Sequence, residues 1–288
     1  MLSVFVCALA SVAFAQQAPD INGKASKFFM RGYAKPGGGT TQNLLYHAGG
    51  SVIRNANVVL IFWGPTFAQA GSADNAYAQQ IQAFRNQFGT AGEYRTIVQY
   101  YGEDALSGYG NIATGSLVGN QADWFDTTNP PQNVTDATVQ NEVKAYLASH
   151  GAADYNAIYE VFLPKTSFSS DGTSASCGAT SGFTLSYCAY HSYYNDASGK
   201  QVKYSIEPYP SCSGCKVTGF TDAQNQQHFV SHETREAVTD PLLNAWFDRR
   251  GYEADDKCAW TPAPFIGTGG FAYQYEWSNA DAGCVKVK

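Results

Sequence analysis

Two largely apolar runs, the second of which contains Glu160, constrain the fold of this 288-residue chain more than any other feature. The run Asn57–Trp63 ends at Gly64-Pro65, and a second run at residues 157–163 ends at Pro164. Strands that are buried on both faces have such continuous apolar sequences, and they occur in sheets that helices cover. The first run therefore predicts a buried central strand of a covered sheet, and the second predicts a further strand.

Two helices are predicted between these strands. Each has apolar residues at helical spacing and a glycine just past its end, where helices commonly stop. The first has Tyr77, Ile81, Phe84 and Phe88 before Gly89, and the second has Val139, Val143 and Leu147 before Gly151. Residues 94–101, which are β-branched and aromatic, predict a strand between the helices. Residues 187–194 and 200–206 predict a hairpin.

This order of elements predicts an α/β fold, because strands that alternate with helices form largely parallel sheets. It resembles the N-terminal subdomain of zincin metallopeptidases, in which the metal-binding helix follows an edge strand. We therefore expect a zincin-like mixed sheet with two crossover helices, an active-site helix and a disulfide-stapled C-terminal part.

The chain is expected to divide into four segments. Residues 1–15 are apolar, too short to cross a bilayer and end in a small-x-small pattern, which predicts a secretory signal peptide. Residues 16–50 are polar and interrupted by Gly and Pro, so we expect an irregular arm. The zincin-like core is predicted at residues 51–240 and a small C-terminal subdomain at residues 241–288.

Six cysteines follow the predicted signal peptide, all in the C-terminal half of the chain. An even number in an exported protein predicts disulfides, although the sequence does not decide which cysteines pair. They are Cys177, Cys188, Cys212, Cys215, Cys258 and Cys284. The sequence Asn133-Val134-Thr135 is an acceptor for an N-linked glycan if the host is eukaryotic.

The net charge narrows the range of partners. It is −6 with only 18 basic residues, which argues against nucleic acid and anionic membranes as partners. We expect a monomer in the extracellular space whose partner is a peptide, a protein or a cell-wall component.

One segment combines strong helix signals with residues that bind metals. Thr221 and Gln224 fit a capping box, and Pro241 ends the helix. Within this helix, His232 and Glu236 are four residues apart and project from one face. An imidazole nitrogen and a carboxylate oxygen at that spacing can reach one metal ion.

Glu233 lies beside the first of these residues. In H-E-x-x-H metallopeptidases the general base has this position, and the second histidine of that motif is replaced by Glu236 here. The alternative is an amphipathic helix whose acids face solvent and pair with Arg235.

A catalytic zinc ion needs three protein ligands and an open position for water. We expect Glu253 to be the third ligand, with Asp256 bonded to the ring nitrogen of His232 that does not bind metal. This pair resembles the gluzincin arrangement. Asp256 and Asp240 are rival third ligands, although the position of Asp240 before a proline suits a helix stop.

Other polar residues near these segments have weaker signals. His191, on the strand before the helix, is a candidate catalytic residue that stabilises an oxyanion, or else a packed histidine. His228, four residues before the first ligand, is a minor alternative ligand. Asp248 and Asp255 are expected to be ordinary surface acids.

Several segments together resemble the phosphate-induced protein/EXORDIUM family of plants and its bacterial and fungal relatives. They are residues 60–64, 188–191, 212–215, 232–246 and 253–258, and the segment 232–246 is the most specific. Two features depart from plant members, which have Asn at the position of Asp240 and space the pair Cys212 and Cys215 one residue wider. The resemblance implies secretion and, in plants, a cell-wall-associated role, but no established reaction.

These observations predict a secreted metallopeptidase. His232, Glu236 and Glu253 would bind the ion, and Glu233 would take a proton from water and pass it to the leaving amine. Zinc is the expected ion, although two carboxylate ligands also suit Mn²⁺ or Ca²⁺. The alternative is a non-enzymatic extracellular or cell-wall-associated protein with a structural cation site.

Overall fold

The computed structural model describes residues 25–32, 42–179 and 182–288. The predicted signal peptide at residues 1–15 lies outside these ranges. Within them the chain has a mixed α/β fold with several sheets and few helices. None of the helices in the described ranges is both long enough and apolar enough to cross a membrane.

Six strands form the main sheet. In chain order they are β1 (Ala25–Phe29), β2 (Asn57–Trp63), β3 (Trp124–Asp126), β4 (Ala157–Phe162), β5 (Tyr187–Asn195) and β6 (Gln201–Glu207). Their order across the sheet is β1-β5-β6-β4-β2-β3. Strands β6, β4, β2 and β3 are parallel neighbours, whereas β5 is antiparallel to both β1 and β6. The predicted central strand at residues 57–63, the strand predicted at residues 157–163 and the predicted hairpin are therefore confirmed.

Four helices accompany this sheet, α1 (Pro65–Ala68), α2 (Ala73–Phe88), α3 (Asp136–His150) and α4 (Asp222–Thr239). The longer three were all predicted. Leu60 and Phe62 of β2 belong to the core beneath α2 and α4, and Val59 and Ile61 belong to the core beneath α3. Because both faces of β2 are covered, its sequence is apolar without alternation.

The remaining elements are short. Paired two- and three-residue strands are Leu45–Tyr46 with Trp246–Phe247, Tyr101–Gly102 with Gly110–Asn111, Phe265–Ile266 with Ala272–Tyr273, and Glu276–Ser278 with Gly283–Val285. A four-stranded sheet contains Thr184–Leu185, Ser174–Ala175, Phe168–Ser170 and Asn133–Thr135. The 3₁₀ turns are Tyr94–Gln99, Ser213–Cys215, Asp256–Cys258 and Thr268–Gly270.

Two predictions of local structure were wrong. The predicted strand at residues 94–101 is mainly a 3₁₀ helix, Tyr94–Gln99, in which Tyr94 and Ile97 are both buried. Side chains three residues apart align in a 3₁₀ helix, so this segment buries its apolar residues without sheet partners. The predicted irregular arm contains β1, which pairs with the otherwise open edge of β5.

All six cysteines after residue 15 are paired, as predicted. The disulfides are Cys177–Cys212, Cys188–Cys215 and Cys258–Cys284. The side chain of Asn133 is half-buried and accepts a 2.7 Å hydrogen bond from the Ser170 hydroxyl. Glycosylation at Asn133 stays a prediction.

Helix α4 is buried along almost its whole length. The predicted capping box is present, since the backbone N–H of Gln224 donates to Thr221 Oγ1 and the backbone N–H of Thr221 donates to Gln224 Oε1. Every residue from 225 to 239 is buried between the main sheet and the C-terminal segments. The alternative of a solvent-facing acidic helix is therefore wrong.

Candidate metal centre

Two buried side chains on α4 define the centre. His232 Nε2 lies 3.1 Å from Glu236 Oε2, one turn further along, and both side chains are completely buried. Neither of these two atoms makes a hydrogen bond within the described ranges. A buried polar atom that lacks a partner is costly, and a cation between the two atoms would satisfy both.

Asp256 approaches the same point from the C-terminal segment. Its Oδ1 lies 3.9 Å from His232 Nε2, and its backbone N–H donates a 2.9 Å hydrogen bond to Glu236 Oε1. One donor atom from each of these three residues lies within 4.8 Å of the other two. That spread matches ligands of one ion, because ligand bonds of about 2.0–2.2 Å leave donor atoms about 3–4 Å apart.

A buried ion pair fixes the position of Asp256. Arg235 is completely buried on α4. Its Nε and Nη2 both donate to the carboxylate of Asp255, the residue that precedes Asp256. Arg235 also donates to the backbone oxygens of Glu93 and Gln274. This pair anchors the segment that carries Asp256 against the metal-facing turn of α4.

Gln274 holds the other nitrogen of His232. Its Oε1 lies 3.3 Å from His232 Nδ1, and its Nε2 donates a 2.7 Å hydrogen bond to the backbone oxygen of Asp255. From the sequence, Asp256 was expected at this nitrogen. Asp256 instead lies on the Nε2 side, so Gln274 orients the ring and Asp256 joins the donor set.

Glu233 contacts His191 on the neighbouring strand. His191 Nδ1 lies 3.1 Å from Glu233 Oε2 and 4.0 Å from Glu236 Oε2. Strand register places His191 in a row of polar residues beneath α4, because Ser26 and Ser205 are its neighbours across β1 and β6. His191 therefore lies where it can orient Glu233, and its predicted role in stabilising an oxyanion stays a prediction.

Glu253 is close to His191. Its Oε1 lies 3.7 Å from His191 Nε2, and the Ser26 hydroxyl bonds its carboxylate. Among the described residues, donor atoms of His232, Glu236 and Asp256 lie within 4.8 Å of one another. No such group contains both His232 and Glu253. Glu253, the predicted third ligand, thus belongs to the same buried cluster but lies next to His191 and not next to His232.

The two weaker candidates have other surroundings. Asp240 caps the end of α4 and its Oδ1 accepts hydrogen bonds from the backbone N–H groups of Asn244 and Ala245. This arrangement is the helix stop that its position before a proline suggested. His228 packs against Trp260, with ring centroids 5.2 Å apart, and belongs to none of the groups of clustered donor residues in the described chain.

The expected surface acids are both buried. Asp255 is the partner of Arg235, and Asp248 accepts a 3.2 Å hydrogen bond from Lys257. The prediction that they are exposed was wrong, because the sequence does not indicate that their basic partners are buried with them.

Strand β1 covers the centre. The Phe28 ring lies 4.4 Å from the His232 ring and stacks on Trp260 at 5.1 Å between ring centroids. Trp260 Nε1 also donates a 2.8 Å hydrogen bond to the backbone oxygen of Phe29. The signal for this cover in the sequence was weak, because β1 is short and its pairing partner is more than 150 residues away.

The electrostatics of the cluster favour a bound cation. Burial raises the pKa of Glu233, Glu236 and Glu253 well above the usual range, and the neighbouring acids raise it further. Burial also lowers the pKa of His232, and it lowers that of His191 to about 3. Neutral histidines are metal ligands, and a cation would offset the repulsion between the carboxylates. The residues therefore fit a divalent ion.

Comparisons with known proteins identify no relative. No protein-family model, no curated protein and no solved structure matches this chain.

Proposed function

We propose that this protein is a metal-dependent hydrolase, most simply a metallopeptidase with a zincin-like arrangement of sheet and active-site helix. The observation that carries the proposal is the convergence of His232 Nε2, Glu236 Oε2 and the Asp256 carboxylate at a buried point. Asp256 replaces Glu253 as the third ligand that the geometry supports best.

The residues around this point have separable tasks. A divalent ion held there would supply Lewis-acid chemistry to a scissile carbonyl. Glu233, held by His191, is next to the ligands and has the position of a general base that accepts a proton from water and returns it to the leaving amine. Gln274 fixes the ring of His232 so that Nε2 faces the ion.

The donor set does not select zinc alone. One imidazole and two carboxylates suit Zn²⁺, and the carboxylates also suit Mn²⁺ or Ca²⁺. Export to an oxidising compartment is part of the proposal, since three disulfides are typical of such proteins. Their presence agrees with the resemblance to the EXORDIUM family, whose plant members are secreted.

The test is peptide hydrolysis by the full chain after metal depletion and reloading. We expect the zinc- or manganese-loaded protein to cleave a mixed library of unstructured peptides, and the depleted protein or the Glu236→Gln variant not to do so. Failure of protein with a demonstrated bound ion to cleave any peptide would contradict the metallopeptidase.

A structural cation site is the second candidate, and complete burial of the centre favours it. In that case the ion would stabilise the contact between α4 and the C-terminal segment without reacting with a substrate. Metal removal would then lower the melting temperature strongly, and the loaded protein would cleave no peptide in the library. The same preparation therefore distinguishes the two candidates.

A further inference from the structure

We infer that the centre binds two divalent cations, with Glu236 as the carboxylate between them. Glu236 Oε2 lies 3.1 Å from His232 Nε2 and 4.0 Å from His191 Nδ1. It is therefore common to two donor groups, the second of which contains His191, Glu233 and Glu236. The inference rests on the proposed function for the first cation and adds a second one beside it.

The second group has the spacing of a metal site. One donor atom from each of its three residues lies within 4.8 Å of the other two, as in the first group. Its shortest separation, from His191 Nδ1 to Glu233 Oε2, is 3.1 Å. All three side chains are completely buried, and Glu236 Oε2 makes no hydrogen bond to any described residue.

In each histidine, the ring nitrogen that is not a donor to the proposed metal ion also lies near a side-chain oxygen. Gln274 Oε1 lies 3.3 Å from His232 Nδ1, and Glu253 Oε1 lies 3.7 Å from His191 Nε2. Histidines that bind metals usually donate their second N–H to such an oxygen, which fixes the tautomer. Glu253 thus lies on the side of the second site that Gln274 occupies in the first, although at 3.7 Å its oxygen is beyond hydrogen-bond distance of His191 Nε2.

The balance of charge supports two ions over one. Glu233, Glu236 and Glu253 are buried together, and the ion pairs that the described structure gives them involve histidine alone. The buried guanidinium of Arg235, on the same helix, is paired with Asp255 and Glu276. One divalent cation would leave part of the carboxylate charge without a partner, whereas two would offset it.

A second cation would change what the centre can do. Paired metal ions about 3.5–4 Å apart stabilise both the attacking and the leaving oxygen of a displacement. Glu233 Oε2 would then hold the second ion, and Oε1, which is buried, would remain the proton acceptor. The substrate class would widen from peptides to other compounds with a scissile carbonyl or phosphoryl group.

The experiment is a metal stoichiometry on the full chain. The protein is depleted with a chelator, reloaded with Zn²⁺, freed of excess metal and analysed by elemental mass spectrometry. We expect about two ions per chain for wild type and for the control His150→Gln, which is remote from the centre. His191→Gln and His232→Gln should each retain about one ion, and Glu236→Gln should lose both. Circular dichroism establishes that each variant is folded.

A second readout needs no variant. Wild type loaded with Mn²⁺ should give the electron paramagnetic resonance signal of two coupled ions. One ion in wild type that persists in His191→Gln, with an uncoupled manganese signal, would overturn the second site and leave the proposed function intact. Binding of no ion by folded wild type would overturn both.

Discussion

Nε2 of His232 lies 3.1 Å from Oε2 of Glu236, and both side chains are completely buried. Such a pair in a dry interior is stable only if a proton or a cation lies between the two atoms, since the carboxylate would otherwise lack compensation. The same carboxylate is also close to Asp256 and His191. A divalent cation at this point would compensate these groups together.

Gln274→Leu should weaken metal binding without removing a ligand. The substitution deletes the acceptor at His232 Nδ1, and loss of such a partner typically lowers metal affinity by about 10–100-fold. Competition with a chromogenic chelator measures the change. Gln274→Glu keeps an acceptor at this position and should retain much of the affinity, whereas equal losses in both variants would contradict the orienting role.

Glu233→Gln should lose hydrolysis while the first ion stays bound. The amide cannot accept a proton from water, and general-base catalysis typically contributes about 10²–10⁴-fold to a rate. Peptide cleavage and metal content are measured on the same preparation. A variant that cleaves peptides at the rate of wild type would show that Glu233 is not the base.

Phe28→Leu should open the cover over the centre. The Phe28 ring lies 4.4 Å from the ring of His232, and a smaller side chain leaves a gap there. We expect a chelator to remove the ion several times faster from this variant than from wild type. Phe67→Leu is the matched control, because Phe67 is equally buried in the core near α2. Equal rates in the two variants would show that β1 does not control access.

Glu142→Gln should change how stability depends on pH. Burial, and secondarily Asp126, raises the pKa of Glu142 to about 8. The folded protein thus keeps a proton that the unfolded chain loses near pH 4.5. Because the folded state binds the extra proton, this residue lowers the free energy of unfolding as pH rises from about 4.5 to about 8. Glutamine cannot ionise, so the variant should be more stable than wild type at pH 8.

We expect that gain to be on the order of 1–3 kcal/mol at pH 8 and close to zero near pH 4. Urea denaturation at the two pH values measures it. The exposed Glu103→Gln variant is the control and should differ little from wild type at either pH. A Glu142→Gln variant whose difference from wild type is the same at both pH values would refute the raised pKa.

Local features of the fold could be predicted from the sequence because their signals are local. The run Asn57–Trp63, the capping box of α4 and the one-turn spacing of His232 and Glu236 depend on neighbouring residues, and the structure contains all of them. The segment at 94–101 was mistaken for a strand because its β-branched and aromatic residues suit either a strand or a buried 3₁₀ helix.

The rest of the centre depends on contacts between distant segments. Asp256 is placed by the pairing of Arg235 with Asp255, and Gln274 lies 42 residues from His232 in the chain. Neither residue has a sequence signal that distinguishes it from other polar residues of a loop. Strand β1 was missed for the same reason, since it forms only where β5 offers an open edge.

Anomalous X-ray diffraction from crystals of the zinc-loaded full chain would locate the bound ion itself. We expect a strong zinc peak between His232, Glu236 and Asp256, about 2.0–2.2 Å from Nε2, Oε2 and a carboxylate oxygen of these residues. The peak should be absent from crystals of Glu236→Gln grown with the same zinc concentration. Electron density that shows these three side chains hydrogen-bonded to one another or to water, with no anomalous peak among them, would refute a metal site at this point.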